Sequence, residues 1–118
     1  MPGAAGVQRC GTQVCLPLAD PANASLRAVD GARLINIDGK QLLVARIEQA
    51  SFIVLSAVCT HMGCIVNYSP AQADIECPCH GARFQLDGAV KLGPASSPLK
   101  KYTATYDAAT DTVTVTLP

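Results

Sequence analysis

The stretch from Cys59 to Phe84 constrains this chain more than any other, because it holds four of the six cysteines and both histidines of the 118-residue sequence. Its first part, residues 59–64, reads CTHMGC, and its second, residues 77–84, reads CPCHGARF. Each part offers a thiolate and an imidazole a few residues apart on a short loop that contains glycine. Both groups are common metal ligands. The stretch therefore predicts a metal site made from two loops.

The mixture of donors on each loop narrows the choice of metal. Zinc modules usually pair Cys with Cys and His with His along the chain, whereas each loop here carries both donor types. A mixed pair on each loop suits a two-iron cluster in which two Cys bind one iron and two His bind the other. A structural zinc site in an interaction module is the alternative from another class. Two more cysteines, Cys64 and Cys79, stand beside the donors and are well placed to bridge the loops.

Taken together, the motifs Cys-x-His-x-x-Cys and Cys-x-Cys-His-Gly resemble those of the Rieske [2Fe–2S] family. The closest likeness is to its disulfide-bearing subtype, found in cytochrome bc complexes and in arsenite oxidase. The resemblance implies a disulfide between Cys64 and Cys79. It also implies a [2Fe–2S] cluster whose ligands are Cys59, His61, Cys77 and His80.

The resemblance also assigns roles to the residues around the cluster. Met62 stands where the family usually has an apolar side chain, which keeps water off one face. Independently of the resemblance, we expect backbone N–H groups near Gly63 and Gly81 to donate to the cluster sulfurs, because glycine has no side chain to obstruct them. The loop over residues 93–98, which begins with Gly93 and Pro94, is similar to a family loop that packs over the cluster. A plain connector back to the main sheet is the other interpretation of this loop.

Two positions depart from the high-potential respiratory members of the family. There the second motif continues Cys-Pro-Cys-His-Gly-Ser-x-Tyr, and both hydroxyls hydrogen-bond to cluster sulfurs, whereas this chain has Ala82 and Phe84. Without these donors we expect a reduction potential below the top of the Rieske range of roughly −150 to +300 mV. This favours an exported electron-transfer protein or a small subunit of a redox enzyme such as arsenite oxidase. The alternative is the soluble domain of a cytochrome bc complex subunit that oxidises quinol.

The remaining pattern predicts an all-β chain, 1–118, folded as a single domain. Apolar or alternating runs are separated by turn signals such as Asp38-Gly39, and no stretch has a sustained helical period. Residues 1–30 are rich in Gly, Ala and Pro and predict an irregular arm with at most one edge strand. We expect a small antiparallel sandwich or partly open barrel with a cluster-binding subdomain of two loops, about 59–90, at one end. The strands are predicted over 34–37, 41–47, 52–58, 65–68, 74–76, 83–86, 100–106 and 112–117.

Charge and hydropathy exclude several kinds of partner. The formal net charge is zero, and no run of Lys or Arg favours nucleic acid or an anionic membrane. No apolar run approaches the ~20 residues of a membrane helix, and the first residues do not resemble a signal peptide. A disulfide nevertheless requires an oxidising compartment. We therefore expect a periplasmic or otherwise extracytoplasmic location, with an export signal or anchor removed.

The remaining cysteines, Cys10 and Cys15, favour a second disulfide, although their spacing alone does not establish it. A lipid-anchor cysteine is the less favoured interpretation. No independent catalytic set accompanies the cluster, because both histidines are already assigned as ligands. The sequence thus predicts an electron-transfer component whose partner is a redox protein, a larger catalytic subunit or a quinol.

Overall fold

The computed structural model describes residues 5–59, 63–79, 81–93 and 97–117. Strands dominate this part of the chain, as the sequence predicts. The one helical segment among these residues is a short 3-10 helix at Pro21–Arg27. The strands are β1 (Gln8–Cys10), β2 (Gln13–Pro17), β3 (Ala32–Ile37), β4 (Lys40–Glu48), β5 (Ser51–Ser56), β6 (Asn67–Ser69), β7 (Asp74–Glu76), β8 (Arg83–Phe84), β9 (Val90–Leu92), β10 (Lys101–Asp107) and β11 (Thr112–Thr116).

The larger of two antiparallel sheets has the strand order β1-β2-β11-β10-β5-β4-β3. Its curl depends on β10, which changes partner along its length. Lys101 and Tyr102 pair with β5, and the rest of the strand pairs with β11. The sheet therefore bends around a core as a half-barrel, which confirms the predicted antiparallel, partly open barrel. The smaller sheet has the order β6-β7-β8-β9 and carries the second cysteine-rich loop between β7 and β8.

Strands β4 and β5 separate two apolar cores, because successive side chains of a strand point to opposite faces. In β5, Phe52 and Val54 face the core inside the half-barrel. Ile53 and Leu55 face a second core that lies against the smaller sheet. The sequence predicts burial of this strand on both faces, and all four side chains are buried. The second core includes the thiols of Cys59 and Cys77, so β5 supports the predicted metal loops from behind.

The prediction of an irregular arm is wrong for residues 8–17. Residues 8–17 form a hairpin rather than an irregular arm, and β2 pairs with β11 inside the large sheet. Val14 and Leu16 are completely buried in the half-barrel core. The alternation Val14-Cys15-Leu16 is short, and Pro17 ends it, so the surrounding Gly, Ala and Pro residues hide the strand signal. Pro17 is tolerated because β1 pairs with β2 only as far as Cys15, so the strand has a free edge on that side at Pro17.

A buried arginine closes the end of the half-barrel where β4 turns into β5. The guanidinium of Arg46 donates to the carbonyl oxygens of Leu26, Arg27 and Gln49. It also lies over the ring of Phe52, 5.1 Å from the centroid. These contacts satisfy a charged group that is only 4% exposed. Arg46 therefore joins the 3-10 helix to the β4–β5 turn.

Candidate metal centre

The two cysteine-rich loops are closed by equivalent backbone hydrogen bonds. In the first loop the N–H of Cys59 donates to the carbonyl of Cys64 at 2.7 Å. In the second loop the N–H of Cys77 donates to the carbonyl of Ala82 at 2.8 Å. Each bond joins a cysteine to the residue five positions later. The loops therefore have matched closures, and each presents its first cysteine at the point where the chain enters the loop.

A glycine occupies the fifth position of each loop and allows this shape. Gly63 and Gly81 have φ values of 73° and 72°. This left-handed conformation costs a glycine little and most other residues appreciably more. In the first loop the N–H of Gly63 also donates to the carbonyl of Cys59 at 3.0 Å. The repeated glycine in the sequence thus marks a repeated turn, which brings the chain back towards its first cysteine.

The strands that flank each loop hold its two ends together. The first loop follows β5, and its ends are joined where Val58 pairs with Ile65 and the N–H of Val66 donates to the carbonyl of Ala57. The second loop connects β7 to β8, which are hydrogen-bonded neighbours. Each loop is therefore the tip of an antiparallel pair, and its position follows from strand pairing.

The thiols of Cys59 and Cys77 meet in the second core. Cys59 is 2% exposed and Cys77 is completely buried. Burial raises the pKa of the Cys77 thiol, and the hydrogen bond with the Cys59 side chain raises this pKa further. The backbone N–H of Cys79 acts in the opposite direction, because it stabilises the thiolate. Two adjacent thiols shielded from water fit a metal that replaces their protons.

A disulfide between Cys64 and Cys79 joins the two loops directly, with Cα atoms 6.4 Å apart. The pairing implied by the family resemblance is therefore present. A second disulfide connects Cys10 and Cys15 within the β1–β2 hairpin, with Cα atoms 6.0 Å apart. Cys59 and Cys77 are the described cysteines that take part in neither bridge. The bridges therefore do not consume the two thiols that are predicted as cluster ligands.

Four of the predicted site residues lie outside the described part of the chain. They are His61, Met62, His80 and Pro94. Among the residues that the structure describes, no group of three or more Cys, His, Asp or Glu side chains forms another metal site. The described thiols fit the cysteine-bound iron of a [2Fe–2S] cluster. The two imidazoles remain predicted ligands.

The two positions that lack hydroxyl groups are both interior. Ala82 and Phe84 are completely buried in the second core, together with the thiols of Cys59 and Cys77. A tyrosine at position 84 would place its ring where the phenyl ring of Phe84 now lies. Its hydroxyl would then be buried and would need a hydrogen-bond partner. Gly93, by contrast, is exposed at the end of β9.

A backbone contact between Gly88 and Leu99 lies beside the site. The sequence indicates only a turn at Asp87-Gly88 and does not predict this contact. The carbonyl of Gly88 accepts the N–H of Leu99 at 2.8 Å, and Leu99 is buried in the second core. A Cβ atom on Gly88 would lie 2.4 Å from the carbonyl oxygen of Leu99, and its φ is 92°. Glycine is therefore required at position 88. Its contact fixes where the chain returns after the loop over residues 93–98.

A model of the Rieske [2Fe-2S] domain matches residues 17–103, which is well over half of the chain. The chain belongs to the Rieske family. Its cofactor is accordingly a [2Fe–2S] cluster, and its chemistry is electron transfer through that cluster.

Relatives and a solved structure agree with this membership. The Rieske domain is 33% identical over 84 residues to the cytochrome b6-f complex iron-sulfur subunit 2 of Nostoc sp., covering 68% of this chain and 47% of that protein. It is 52% identical over 50 residues to the cytochrome b6-f complex iron-sulfur subunit of Chlorobaculum thiosulfatiphilum, covering 42% and 28% respectively. The chain thus spans less than half the length of these relatives. The cyanobacterial plasma membrane Rieske protein PetC3 from Synechocystis PCC 6803 superposes with a TM-score of 0.64 at 29% identity, over 73% of this chain and 86% of that one.

Proposed function

We propose that this Rieske domain is an extracytoplasmic one-electron carrier that works in a cytochrome bc-type or b6-f-type complex. The observation that carries the proposal is the pair of matched loops joined by the Cys64–Cys79 disulfide around two buried thiols. The similar iron-sulfur subunits of cytochrome b6-f complexes support the setting. In such a complex the electron donor would be a quinol and the acceptor another redox subunit.

A [2Fe–2S] cluster supplies reversible one-electron chemistry when it is bound. In this chain Cys59 and Cys77 would hold one iron, and we propose His61 and His80 as the ligands of the other. The second core keeps water from the thiols, and the disulfide holds the loops at a fixed separation. The protein itself would bind the cluster, orient it and shield it from water. A one-electron carrier needs no substrate pocket.

The extracytoplasmic location is supported by two disulfides, which persist in oxidising compartments. Within the described residues no helix is long and apolar enough to cross a membrane. We propose that this domain is exposed to an oxidising compartment and receives electrons there.

A small subunit of a redox enzyme such as arsenite oxidase is the second candidate. The buried Ala82 and Phe84 favour it, because hydroxyl donors at these positions would raise the reduction potential. A potentiometric titration separates the two candidates. A potential in the upper part of the Rieske range suits a quinol donor in a high-potential chain, and a markedly lower value suits the enzyme subunit.

Spectroscopy of the purified protein tests the cluster itself. We expect a coloured protein that bleaches on reduction and gives a Rieske-type EPR signal. His80→Ala should abolish that signal, because no third histidine exists in the chain to replace it. A colourless protein that contains zinc would overturn the proposal.

A further inference from the structure

A group of four charged side chains crosses the smaller sheet beside the second loop. We call Asp74, Glu76, Arg83 and Lys91 the ion cluster. The Oδ2 atom of Asp74 lies 3.2 Å from Nε of Arg83 and 3.0 Å from Nζ of Lys91. Nη1 of Arg83 lies 3.0 Å from Oε2 of Glu76. The ion cluster therefore joins strands β7, β8 and β9 through their side chains.

The ion cluster lies directly next to the closure of the second loop. Glu76 immediately precedes Cys77, Arg83 immediately follows Ala82, and these two charged residues are partners in the β7–β8 register. The hydrogen bond from Cys77 to Ala82 is the next rung. Neighbouring positions along a strand are about 3.3 Å apart. Glu76 and Arg83 are thus the charged residues nearest to the second loop along β7 and β8.

Burial of the carboxylate of Asp74 is costly for the fold. Its side chain is 0% exposed, and its Oδ1 atom has no hydrogen-bond partner among the described residues. A buried ion pair often contributes no more stability than apolar side chains of similar volume, and an unpaired buried oxygen costs more. Stability alone therefore gives a weak reason for a carboxylate here.

We propose that the ion cluster sets the reduction potential of the [2Fe–2S] cluster, because Arg83 and Lys91 raise that potential beside the second loop and the carboxylate of Asp74 lowers it. Reduction adds one negative charge. Nearby cations stabilise the reduced state, and a nearby carboxylate opposes it. These effects are weakly screened because Asp74 is fully buried and the Arg83 side chain is only 14% exposed. This proposal rests on the proposed function, in which the domain binds a [2Fe–2S] cluster.

Two substitutions with opposite expected signs test this proposal. Asp74→Asn removes the negative charge at nearly constant volume and leaves both cations, so the reduction potential should rise. Lys91→Met removes one cation and keeps the length of the side chain, so the potential should fall. We expect each change to shift the redox equilibrium constant at least threefold, which is about 28 mV at ~59 mV per tenfold change.

Glu48→Gln is the matched control for loss of a negative charge. Glu48 is exposed at the β4–β5 turn, and β5 leads from that turn to Cys59 over roughly 25 Å. We expect no measurable change in potential for this variant. Thermal unfolding of each cluster-containing protein should be recorded as well, because a purely structural ion cluster would change the unfolding temperature and leave the reduction potential unaltered.

The outcomes distinguish failure of this proposal from failure of the proposed function, which is that the domain carries electrons on a [2Fe–2S] cluster. Shifts of opposite sign for Asp74→Asn and Lys91→Met, with no shift for Glu48→Gln, would support it. Unchanged potentials, or shifts of the same sign, would overturn it even if both variants unfold at lower temperature. If Asp74→Asn binds no cluster, the sign of the shift in Lys91→Met decides, since Lys91 is 45% exposed and tolerates replacement. A wild-type protein without a Rieske signal would instead contradict the proposed function.

Discussion

Ala82 and Phe84 are the residues that most distinguish this Rieske domain from the high-potential pattern. Both are buried in the core that contains the cysteine thiols. A hydroxyl near the cluster bonds the reduced state more strongly than the oxidised state, because the reduced state carries more negative charge. The absence of hydroxyl groups at positions 82 and 84 therefore predicts a lowered reduction potential, and it does not predict loss of the [2Fe–2S] cluster.

Restoring the hydroxyls should raise the reduction potential. A hydrogen bond to a charged group contributes ~1.5–3 kcal/mol, and if about half of this differs between redox states, each hydroxyl adds roughly 30–65 mV. Ala82→Ser and Phe84→Tyr should each show this rise in a redox titration at fixed pH. Phe52→Tyr adds the same hydroxyl to the half-barrel core and serves as the control. If neither position raises the potential, the side chains at 82 and 84 do not face the cluster.

A tyrosine at the far end of the large sheet provides a separate test of the structure. The hydroxyl of Tyr106 donates to Oδ1 of Asp111 at 2.6 Å. This bond, followed by desolvation and the charge of Asp111, raises the pKa of Tyr106. A raised pKa means that the folded state keeps the proton longer than the unfolded chain. The corresponding stability is complete below the ordinary pKa of about 10 and is lost as the pH rises through the folded value.

Ultraviolet titration of the tyrosines measures this effect. We expect one of the alkaline steps to disappear in Tyr106→Phe and to move to lower pH in Asp111→Asn. Tyr68 also has a raised pKa, mainly through desolvation and then its bond to Asp30, so Tyr68→Phe is needed to assign the steps. An ordinary titration of Tyr106 would mean that the bond to Asp111 is absent in solution.

Among the elements, hairpins with strong turn signals were predictable, and the first hairpin was not. Asp38-Gly39 lies between β3 and β4, and Asp38 has the positive φ of 52° that such a turn needs. Strand β11 alternates as predicted, with Val113 and Val115 buried. Strand β2 has only a short alternation, so its place in the sheet depends on pairing with β11, which a local pattern does not reveal. The 3-10 helix has a local start signal, since the side chain of Asp20 accepts the N–H of Ala22, and Arg46 adds tertiary contacts at the other end of the helix.

The Cys64–Cys79 bridge should stabilise the metal loops more than the rest of the fold. It closes 15 positions of sequence, and the chain-entropy model gives about 3 kcal/mol for a loop of this length. We expect the double variant Cys64→Ser with Cys79→Ser to lose its visible absorption at a lower temperature than the wild type.

The second bridge is the natural control for this experiment. Cys10→Ser with Cys15→Ser removes a disulfide from the β1–β2 hairpin, which belongs to the other core. Its cluster should bleach at the wild-type temperature or close to it. Equal bleaching temperatures for all three proteins would show that the Cys64–Cys79 bridge does not clamp the loops.

Strands β4 and β5 form a wall between the core of the half-barrel and the second core, which lies against the smaller sheet. Side chains on one face of these strands fill the half-barrel, and those on the other face pack against the thiols of Cys59 and Cys77. The sequence indicates the metal loops because their donors are clustered along the chain. It does not indicate the ion cluster, because Asp74, Arg83 and Lys91 come together only when β7, β8 and β9 pair.

We propose that two histidines hold one iron of the [2Fe–2S] cluster. EPR with nitrogen hyperfine detection on the reduced protein, labelled with nitrogen-15 at histidine, tests it most directly. The chain contains only two histidines, so the label reports on His61 and His80 alone. We predict a Rieske-type spectrum with couplings from two directly bound histidine nitrogens. A cluster signal without strong histidine coupling, or no cluster signal at all, would contradict the claim.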